Sequence, residues 1–453
     1  MWVVSRLHAI RCIIYGICNI IDVSIWRRVN EKNSNSVRGF QAVAMKVLVL
    51  SAYYVPEVAA SMYIPSNLYE DLAKSGCEVV IHTPIPTRGV DNETRQRFKR
   101  IRIEHSCADK LIIHRFPLFR ESTNPILRIC RYMILSFVLF WKGLITDTDV
   151  IFVQSTPPTQ GALGAILKII KRVPLVYNLQ DIFPESLVTT GLTSQSSLLW
   201  RLGRMIEKFT YQYVDKVIVI SEGFRRNLLS KGVYEDKIVV IPNWVDENVV
   251  SPIQREHNMM FEKYNLDSRK FYISHCGNIG LTQNMDMLID VAEDLKEHKD
   301  IGFLLIGDGA YKKAVQDKIS QKDLTNVQII PFQPYEYISH VFSAGEVGVV
   351  ISKASVGQSS IPSKTWSIMS AERAVLASFD QNSELASIIT SHRCGICVSP
   401  EDRIALKNAI LNLYNNRINL KNMGTNGRKY IIENLTREKG TSRYIEAIRN
   451  VVP

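Results

Sequence analysis

The sequence predicts an α/β protein made of two doubly wound lobes facing a central cleft. Three observations predict it. Short apolar runs alternate with helix-patterned segments from residue 45 onward, the signature of parallel strands joined by crossover helices. The alternation breaks at Pro242, Asn243, Trp244, Val245 and Asp246, passes through a polar stretch to about residue 265, and starts again. In the second half, glycine clusters fall where strands end and helices begin, at Gly277 and Gly280 and at Gly307 and Gly309. The expected domains are 45–248 and 249–432, with 433–453 a helix packing back on the first lobe and 1–44 an extension.

In the first lobe, strands are expected at 46–51, 78–83, 111–116, 149–154, 175–179, 216–220 and 237–241. Each run is apolar along its length, as strands covered on both faces must be, and too short to serve as a helix. Helices are expected at 64–75, where Gly76 stops the chain, and at 126–144, 161–170 and 198–214. Ser221 and Glu222 open another through residue 230, since a serine oxygen can accept the first free amides. The second lobe repeats the theme. Strands are expected at 271–275, 301–306, 327–331, 347–351 and 374–378, with helices at 284–296, 310–322, 363–371, 403–415, 420–434 and 440–451. Two such sheets bind ligands at their carboxyl ends, in the cleft between them.

Composition excludes several classes. The chain has 453 residues, 46% hydrophobic and 22% charged, which suits a globular protein and excludes a disordered or collagenous one. The longest uncharged apolar runs, 12–21 and 132–141, fall short of the ~18–20 residues a spanning helix needs. Lysine and arginine number 55 against 44 acids, giving a net charge of +11 that favours anionic partners. No nucleic-acid module or arginine-rich aromatic run is present, so a nucleic-acid partner is not expected. The eight cysteines fall mostly in apolar runs and no secretory cleavage pattern precedes them, so a reducing cytosol is expected. Cys394 and Cys397 form a lone CxxC; without a second pair it suits a structural strand or turn better than zinc. Residues 1–44 allow two readings: an upstream start with no fold of its own, or an amphipathic membrane-surface helix with Arg6 and Arg11 towards lipid phosphates.

Candidate chemistry sits at the strand ends. Gly277, Asn278 and Gly280 follow the first strand of lobe two, where glycines let backbone approach a ligand and free amides hold phosphate. Gly307, Asp308 and Gly309 end the next strand, and Asp308 is placed to cap a helix. Ser363 and Lys364 open a helix behind Pro362, and a lysine in that first turn opposes the helix dipole, which points to an anionic ligand or to simple solvation. Asp181 and Glu185 follow a buried strand of lobe one and serve either acid–base work on a substrate or turn chemistry. Pro157 and Pro158 belong to a rigid loop lining the same cleft. Asp147 and Asp149 precede a strand, and are expected in a solvated turn rather than at a metal. The helix carrying 132–141 suits the core of lobe one, a membrane surface, or both.

Four segments resemble the bacterial glycosyltransferase family four: 46–51 with Pro56 and Glu57; Gly277 to Asn284; Gly307 to Gly309; and Pro362, Ser363, Lys364, Thr365 and Trp366 with 374–377. The resemblance covers about 45–451 and looks closest to transferases of fucose-type or N-acetylated sugars in colanic acid, capsule and O-antigen assembly. It implies the GT-B fold, two Rossmann-like domains about a cleft. It implies a retaining transferase using a UDP- or GDP-sugar co-substrate, with no tightly bound cofactor or metal. The implied acceptor is a polyprenyl-diphosphate-linked saccharide, at the cytoplasmic face of the plasma membrane. Carried over by position, Gly277, Asn278, Gly280, Asn284, Ser363 and Lys364 face the donor diphosphate; Gly307, Asp308, Gly309 and Phe332 border the nucleotide; Glu384 meets the ribose. Pro56, Pro157 and Pro158 lie on the acceptor side, and Asp181 and Glu185 are the candidate catalytic carboxylates, Asp181 standing where many relatives follow a histidine with Asp. Two departures stand out: Ser359 and Ser367 occupy the positions of a glutamate pair, and Asn278 and Asn284 those of an arginine and a lysine. Lys353, Lys364 and Arg373 are the available sources of the missing charge. A non-hydrolysing nucleotide-sugar epimerase and a non-catalytic nucleotide-sugar-binding protein are the alternatives.

Overall fold

Why the strands read as unbroken apolar runs is plain from the two sheets they build. A computed structural model of the protein describes residues 44–57, 62–122, 124–189, 193–355 and 361–453. The expected extension, apart from its last residue, and Ser359 lie outside the described residues. In the first lobe, β1 (Lys46–Leu50), β2 (Glu78–Pro84), β3 (Ile103–Ser106), β4 (Leu111–Phe116), β5 (Val150–Gln154), β6 (Leu175–Leu179), β7 (Lys216–Val219) and β8 (Ile238–Val240) form one sheet. Its order is β3-β4-β2-β1-β5-β6-β7-β8. Each pairing is parallel except that of β3 with β4.

Side chains of β1 alternate between two helix layers. Leu48 and Leu50 join Leu135 and Leu139 of α3 (Pro125–Ile145), Leu163 and Leu167 of α4 (Gln160–Lys171), Tyr211 of α5 (Leu198–Tyr213) and Phe224 of α6 (Glu222–Ser230). Val47 and Val49 face the other way, with Leu68 and Leu72 of α1 (Tyr63–Lys74). Between β2 and β3 lies α2 (Asn92–Arg100), which the sequence reading passes over because Phe98 is its sole buried residue. Its start is fixed by Asp91, whose side chain accepts from Thr94 N at 2.6 Å.

The second lobe holds β9 (Phe271–Asn278), β10 (Ile301–Asp308), β11 (Val327–Ile330), β12 (Val347–Ile351), β13 (Ala374–Ser378) and β14 (Gly395–Val398), in the all-parallel order β11-β10-β9-β12-β13-β14. On one face pack α7 (Met285–Asp294), α8 (Lys312–Gln321) and α11 (Arg403–Asn415). On the other lie α9 (Lys364–Ser370), α10 (Glu384–Ser391) and α12 (Arg417–Asn434). Strands β9 and β10 run past their expected ends at 275 and 306, because Gly277 and Asn278 stay in register with Gly307 and Asp308. Cys394 precedes the edge strand β14 and Cys397 lies within it, and burial pushes both thiols up to about 11.

In both sheets the strand order reverses beside the first strand of the lobe: between β1 and β5, and between β9 and β12. Ligands of doubly wound sheets bind at the carboxyl end of that reversal. The loops placed there carry Pro56 and Pro157 in one lobe, and Gly277 to Asn284 in the other.

The lobes are joined by two crossings that touch. Val245 N donates to Leu435 O at 3.1 Å on the outward and return strands of chain. After the return, α13 (Arg437–Arg449) packs on α1, and its Tyr444 and Ile448 enter the first lobe's core. Arg437 sits at that entry, 2.7 Å from Asp71, 3.0 Å from Glu70 and 3.4 Å from Asp246. Gly440 makes the docking possible: a Cβ there would stand 2.3 Å from the ring of the buried Trp244. A Gly440→Val substitution is therefore expected to cost about 1–3 kcal/mol by overpacking. Urea unfolding checks this; an unchanged midpoint would show that α13 slides off Trp244 freely.

Candidate functional site

Backbone packed on backbone forms the floor of the second lobe's site. Gly277 has φ +115° and Gly307 φ +156°. A Cβ on Gly307 would lie 1.8 Å from the Gly277 carbonyl oxygen, so these two strand ends meet only as glycine. Gly309 is held the same way, 2.3 Å from Ile279 O if it bore a Cβ. The loop beyond is shaped by Gln283, whose Oε1 accepts from Gly280 N at 2.9 Å and from Asn278 Nδ2 at 3.4 Å. Lys353 N, just past β12, donates to Thr282 O at 3.0 Å and ties this loop to the neighbouring strand end. Gln283, Thr282 and Lys353 thus support the loop, a role their spacing in sequence does not signal.

Lys364 projects into this floor. A Cβ on Gly277 would sit 3.9 Å from its Cε. Its Nζ lies 3.3 Å from Nε2 of His275, which is fully buried and also 3.2 Å from Asn278 O. Burial lowers the Lys364 pKa from 10.5 to about 8. Burial, and then the Lys364 charge, push His275 well below the usual histidine range, so it is neutral; its Nε2 either donates to Asn278 O or, in the other tautomer, accepts from the ammonium. Among the described residues no carboxylate comes within ion-pair distance of Lys364. A desolvated cation with no counter-ion is an anion receptor awaiting its ligand.

The other donor-side residues are spread around this floor. Asn278 is exposed at the loop's edge, and Asn284 is at the N-cap of α7 without a capping side-chain bond. Asp308 is exposed, accepts from Gly309 N at 2.9 Å and lies 3.6 Å from Lys312. Phe332 is exposed past β11, and Ser363 precedes Lys364 at the N-cap of α9. Glu384 reaches across to the first lobe: its Oε2 accepts from Glu222 N, at the start of α6, at 3.0 Å. Burial raises its pKa, against the pull of that amide. Arg373 is engaged elsewhere, donating to Ile253 O at 2.8 Å beneath the sheet's amino edge.

In the first lobe, Asp181 follows β6 at the carboxyl edge. No hydrogen-bond or ion-pair partner reaches it among the described residues. Its carboxyl is open to solvent yet walled in by protein, and that crowding raises its pKa. Its neighbour Gln180 is locked: Nε2 donates to Asn178 Oδ1 at 2.9 Å, Oε1 accepts from Asn243 at 2.8 Å, and Tyr444 OH of α13 reaches Asn178 at 3.0 Å. Tyr444 lies far along the chain, so only the fold brings it here. Glu185 does not stand with Asp181 in the cleft. It is 2.7 Å from Lys231 and 3.6 Å from Arg204, within an ion cluster with Glu207 under α5. Pro56 is exposed, Pro157 buried and Pro158 half-buried, all in loops at the same edge as Asp181. Asp147 and Asp149 both bind Lys46 at 2.7 Å, at the opposite, amino edge.

Comparison with known proteins agrees with this architecture. Residues 66–249 match the Glycosyltransferase Family 4 domain and residues 257–430 the Glycosyl transferases group 1 domain. The chain is 24% identical over 418 residues to the putative colanic acid biosynthesis glycosyl transferase WcaI of Escherichia coli (strain K12), covering 89% of this chain and all of that one. It is 24% identical over 269 residues to the probable glycosyltransferase WbjE of Pseudomonas aeruginosa, covering 59% of this chain and 66% of that one. Among solved structures, Anabaena HepE in complex with UDP superposes with a TM-score of 0.67 at 16% identity, covering 90% of this chain and 100% of that one. These structural neighbours share the GT-B fold, two α/β domains with parallel sheets.

The Lys364 charge has a consequence for stability. Its folded pKa, about 8, lies below the unfolded 10.5, so the unfolded chain holds the extra proton between those values. Stability should therefore rise as pH climbs from 8 to 10.5, with the full penalty present below 8. Lys364→Met should remove that slope and stabilise the protein at pH 7 by on the order of 1–3 kcal/mol. Urea titrations of both proteins at several pH values check it; a destabilised Lys364→Met would show that the ammonium is satisfied where it sits.

Proposed function

The chain belongs to the glycosyltransferases that join a family 4 domain to a group 1 domain, and we propose that it is a retaining enzyme of surface-polysaccharide synthesis. It moves a fucose-type or N-acetylated hexose from a UDP- or GDP-linked donor to a saccharide carried on a polyprenyl diphosphate. The observation that carries this reading is the Lys364 cation, with no carboxylate in ion-pair distance among the described residues, beside the Gly277–Gly307 floor at the strand reversal of the second lobe. A relative named for colanic acid synthesis and neighbours solved with UDP support the pathway class and the nucleotide.

In this mechanism the loop from Gly277 to Gly280 and Lys364 receive the donor diphosphate. As the bond from sugar C1 to the β-phosphate oxygen breaks, negative charge grows on the diphosphate. Lys364 stabilises it in a site screened from water, where a fixed charge acts most strongly. The acceptor hydroxyl attacks C1 on the face the diphosphate leaves, and its proton passes to Asp181, whose raised pKa suits a base. Glu384, which now caps α6, turns to the ribose when donor enters.

Product analysis tests the reading: purified protein, a panel of UDP- and GDP-sugars, and membrane extract carrying lipid-linked saccharides. Transfer from one donor, dependent on acceptor and with anomeric configuration kept, is expected. Donor isomerised without acceptor would replace the transferase reading with the epimerase. The lysine supplies a second test. UDP should bind to the protonated form, so affinity should fall by about tenfold per pH unit above 8. Lys364→Arg, always charged, should bind with no such fall; calorimetric titration from pH 7 to 9.5 would read both. A wild-type affinity flat across that range would remove Lys364 from the phosphate site.

A further inference from the structure

Helix α4 packs between α3 and α5, so these three helices form one continuous layer over the first sheet. Their inner sides fill the core. Their outer sides are apolar as well. Met133, Phe137 and Trp141 follow one another along α3, Leu198 and Met205 along α5, and each of the five is half or more exposed. Ile169 of α4 is exposed between them. Monomeric proteins seldom leave so broad an apolar patch to water.

The free charge on the outer sides of these helices is of one sign; the nearby Asp215, just past α5, is paired with Lys168 of α4 at 2.5 Å. Neither α3 nor α4 contains an aspartate or glutamate, and the single acid of α5, Glu207, is buried against Lys231 at 2.5 Å. Arg172, Arg201 and Lys208 are exposed on this layer, with no carboxylate in ion-pair distance among the described residues. A two-fold contact between copies would set this positive rim against itself. Apolar residues ringed by cations fit an anionic lipid surface.

We infer that the outer face of α3, α4 and α5 docks on an anionic bilayer, with Phe137, Trp141 and Met205 entering the acyl boundary and Arg201 and Lys208 meeting headgroup phosphates. Because α3 is buried along one side, it lies on the membrane and does not cross it; no helix of the described residues is long and apolar enough to cross. The topology gives the docking a purpose. Crossover helices run antiparallel to their strands, so α3, α4 and α5 all begin at the carboxyl edge, beside Pro157 and Asp181. A bilayer on this layer delivers its lipid headgroups to the cleft mouth. The inference rests on the proposed lipid-linked acceptor for its purpose, though its test needs no turnover.

The test is co-sedimentation of the full chain with vesicles of phosphatidylcholine alone or with 30% phosphatidylglycerol (about the anionic fraction that gives a strong surface potential). The wild type should bind the anionic vesicles and release in high salt. Phe137→Glu with Met205→Glu should lower binding at least about tenfold. Arg201→Ala and Lys208→Ala should each lower it roughly fivefold, on anionic vesicles only. UDP affinity, read on the same variants, should stay at the wild-type value. Three results would overturn the inference: a wild type that ignores anionic vesicles, a Phe137→Glu/Met205→Glu protein that binds as well as wild type, or a wild-type dimer in light scattering that this variant dissolves. If UDP binding held through any of these, the donor-site reading would stand without the docking face.

Discussion

Two strands of chain cross between the lobes side by side, and the cleft depends on that contact. Val245 and Leu435 hydrogen-bond at the crossing, and the return strand continues into a helix that is part of the first lobe's core. The joint is therefore no slack tether. Trp244 and Gly440 interlock within it, and Arg437 gathers Glu70, Asp71 and Asp246 around it. Tyr444, one turn further on, reaches Asn178 and so the segment that carries Asp181. A residue near the end of the chain thus sets the geometry of a loop in the first lobe. The lobe that bears Asp181 and the lobe that bears Lys364 are placed by the same few contacts.

Much of this architecture is legible in sequence because parallel strands are buried on both faces. Their apolar runs, such as those of β1, β5 and β12, stand out without an alignment. Elements that bury little are silent. Helix α2 hides one phenylalanine among arginines and lysines, so no periodicity marks it. Within the site, the glycines are legible and their reason is not. The sequence shows Gly277 and Gly307; only the register of β9 on β10 shows that Gly307 is required because the Gly277 backbone lies against it, while Gly277 is required by its own φ of +115°. Glu185 illustrates the limit in the other direction. Four residues beyond Asp181, it has the same chemistry, yet the turn of a short helix, Glu185–Thr189, takes it to Lys231 and Arg204 instead of the cleft. Spacing alone does not choose between those two faces.

The missing acid and base of the usual motif positions bear on how charge is supplied. Ser367 is buried and offers no charge, Asn278 and Asn284 offer none, and Arg373 is turned to the connecting segment. Among the described residues two lysines remain near the glycine floor: Lys353, exposed at the strand end tied to Thr282, and Lys364, whose surroundings raise its electrostatic value. Burial that lowers its pKa to about 8 also removes the water that would screen it. His275, kept neutral by the same burial, holds the ammonium in place without neutralising it. One such cation, aided by loop amides that carry no net charge, can do what two exposed cations do in water.

Asp181 poses the complementary case on the opposite lobe. It too has no hydrogen-bond or ion-pair partner among the described residues, and crowding raises rather than lowers its pKa. Neither charge helps the free protein fold: an unpaired buried cation and a crowded lone carboxylate both cost stability. Paired with each other they would cost less, but they stand on separate lobes, each at the carboxyl edge of its sheet. That separation is what a two-substrate reaction requires. An anion that satisfies Lys364 and a hydroxyl that hydrogen-bonds Asp181 each recover part of the cost on binding. The joint at Val245 and Leu435 then decides whether both can do so around one sugar. On the proposed reading, stability withheld from the free protein is returned when donor and acceptor fill the cleft together.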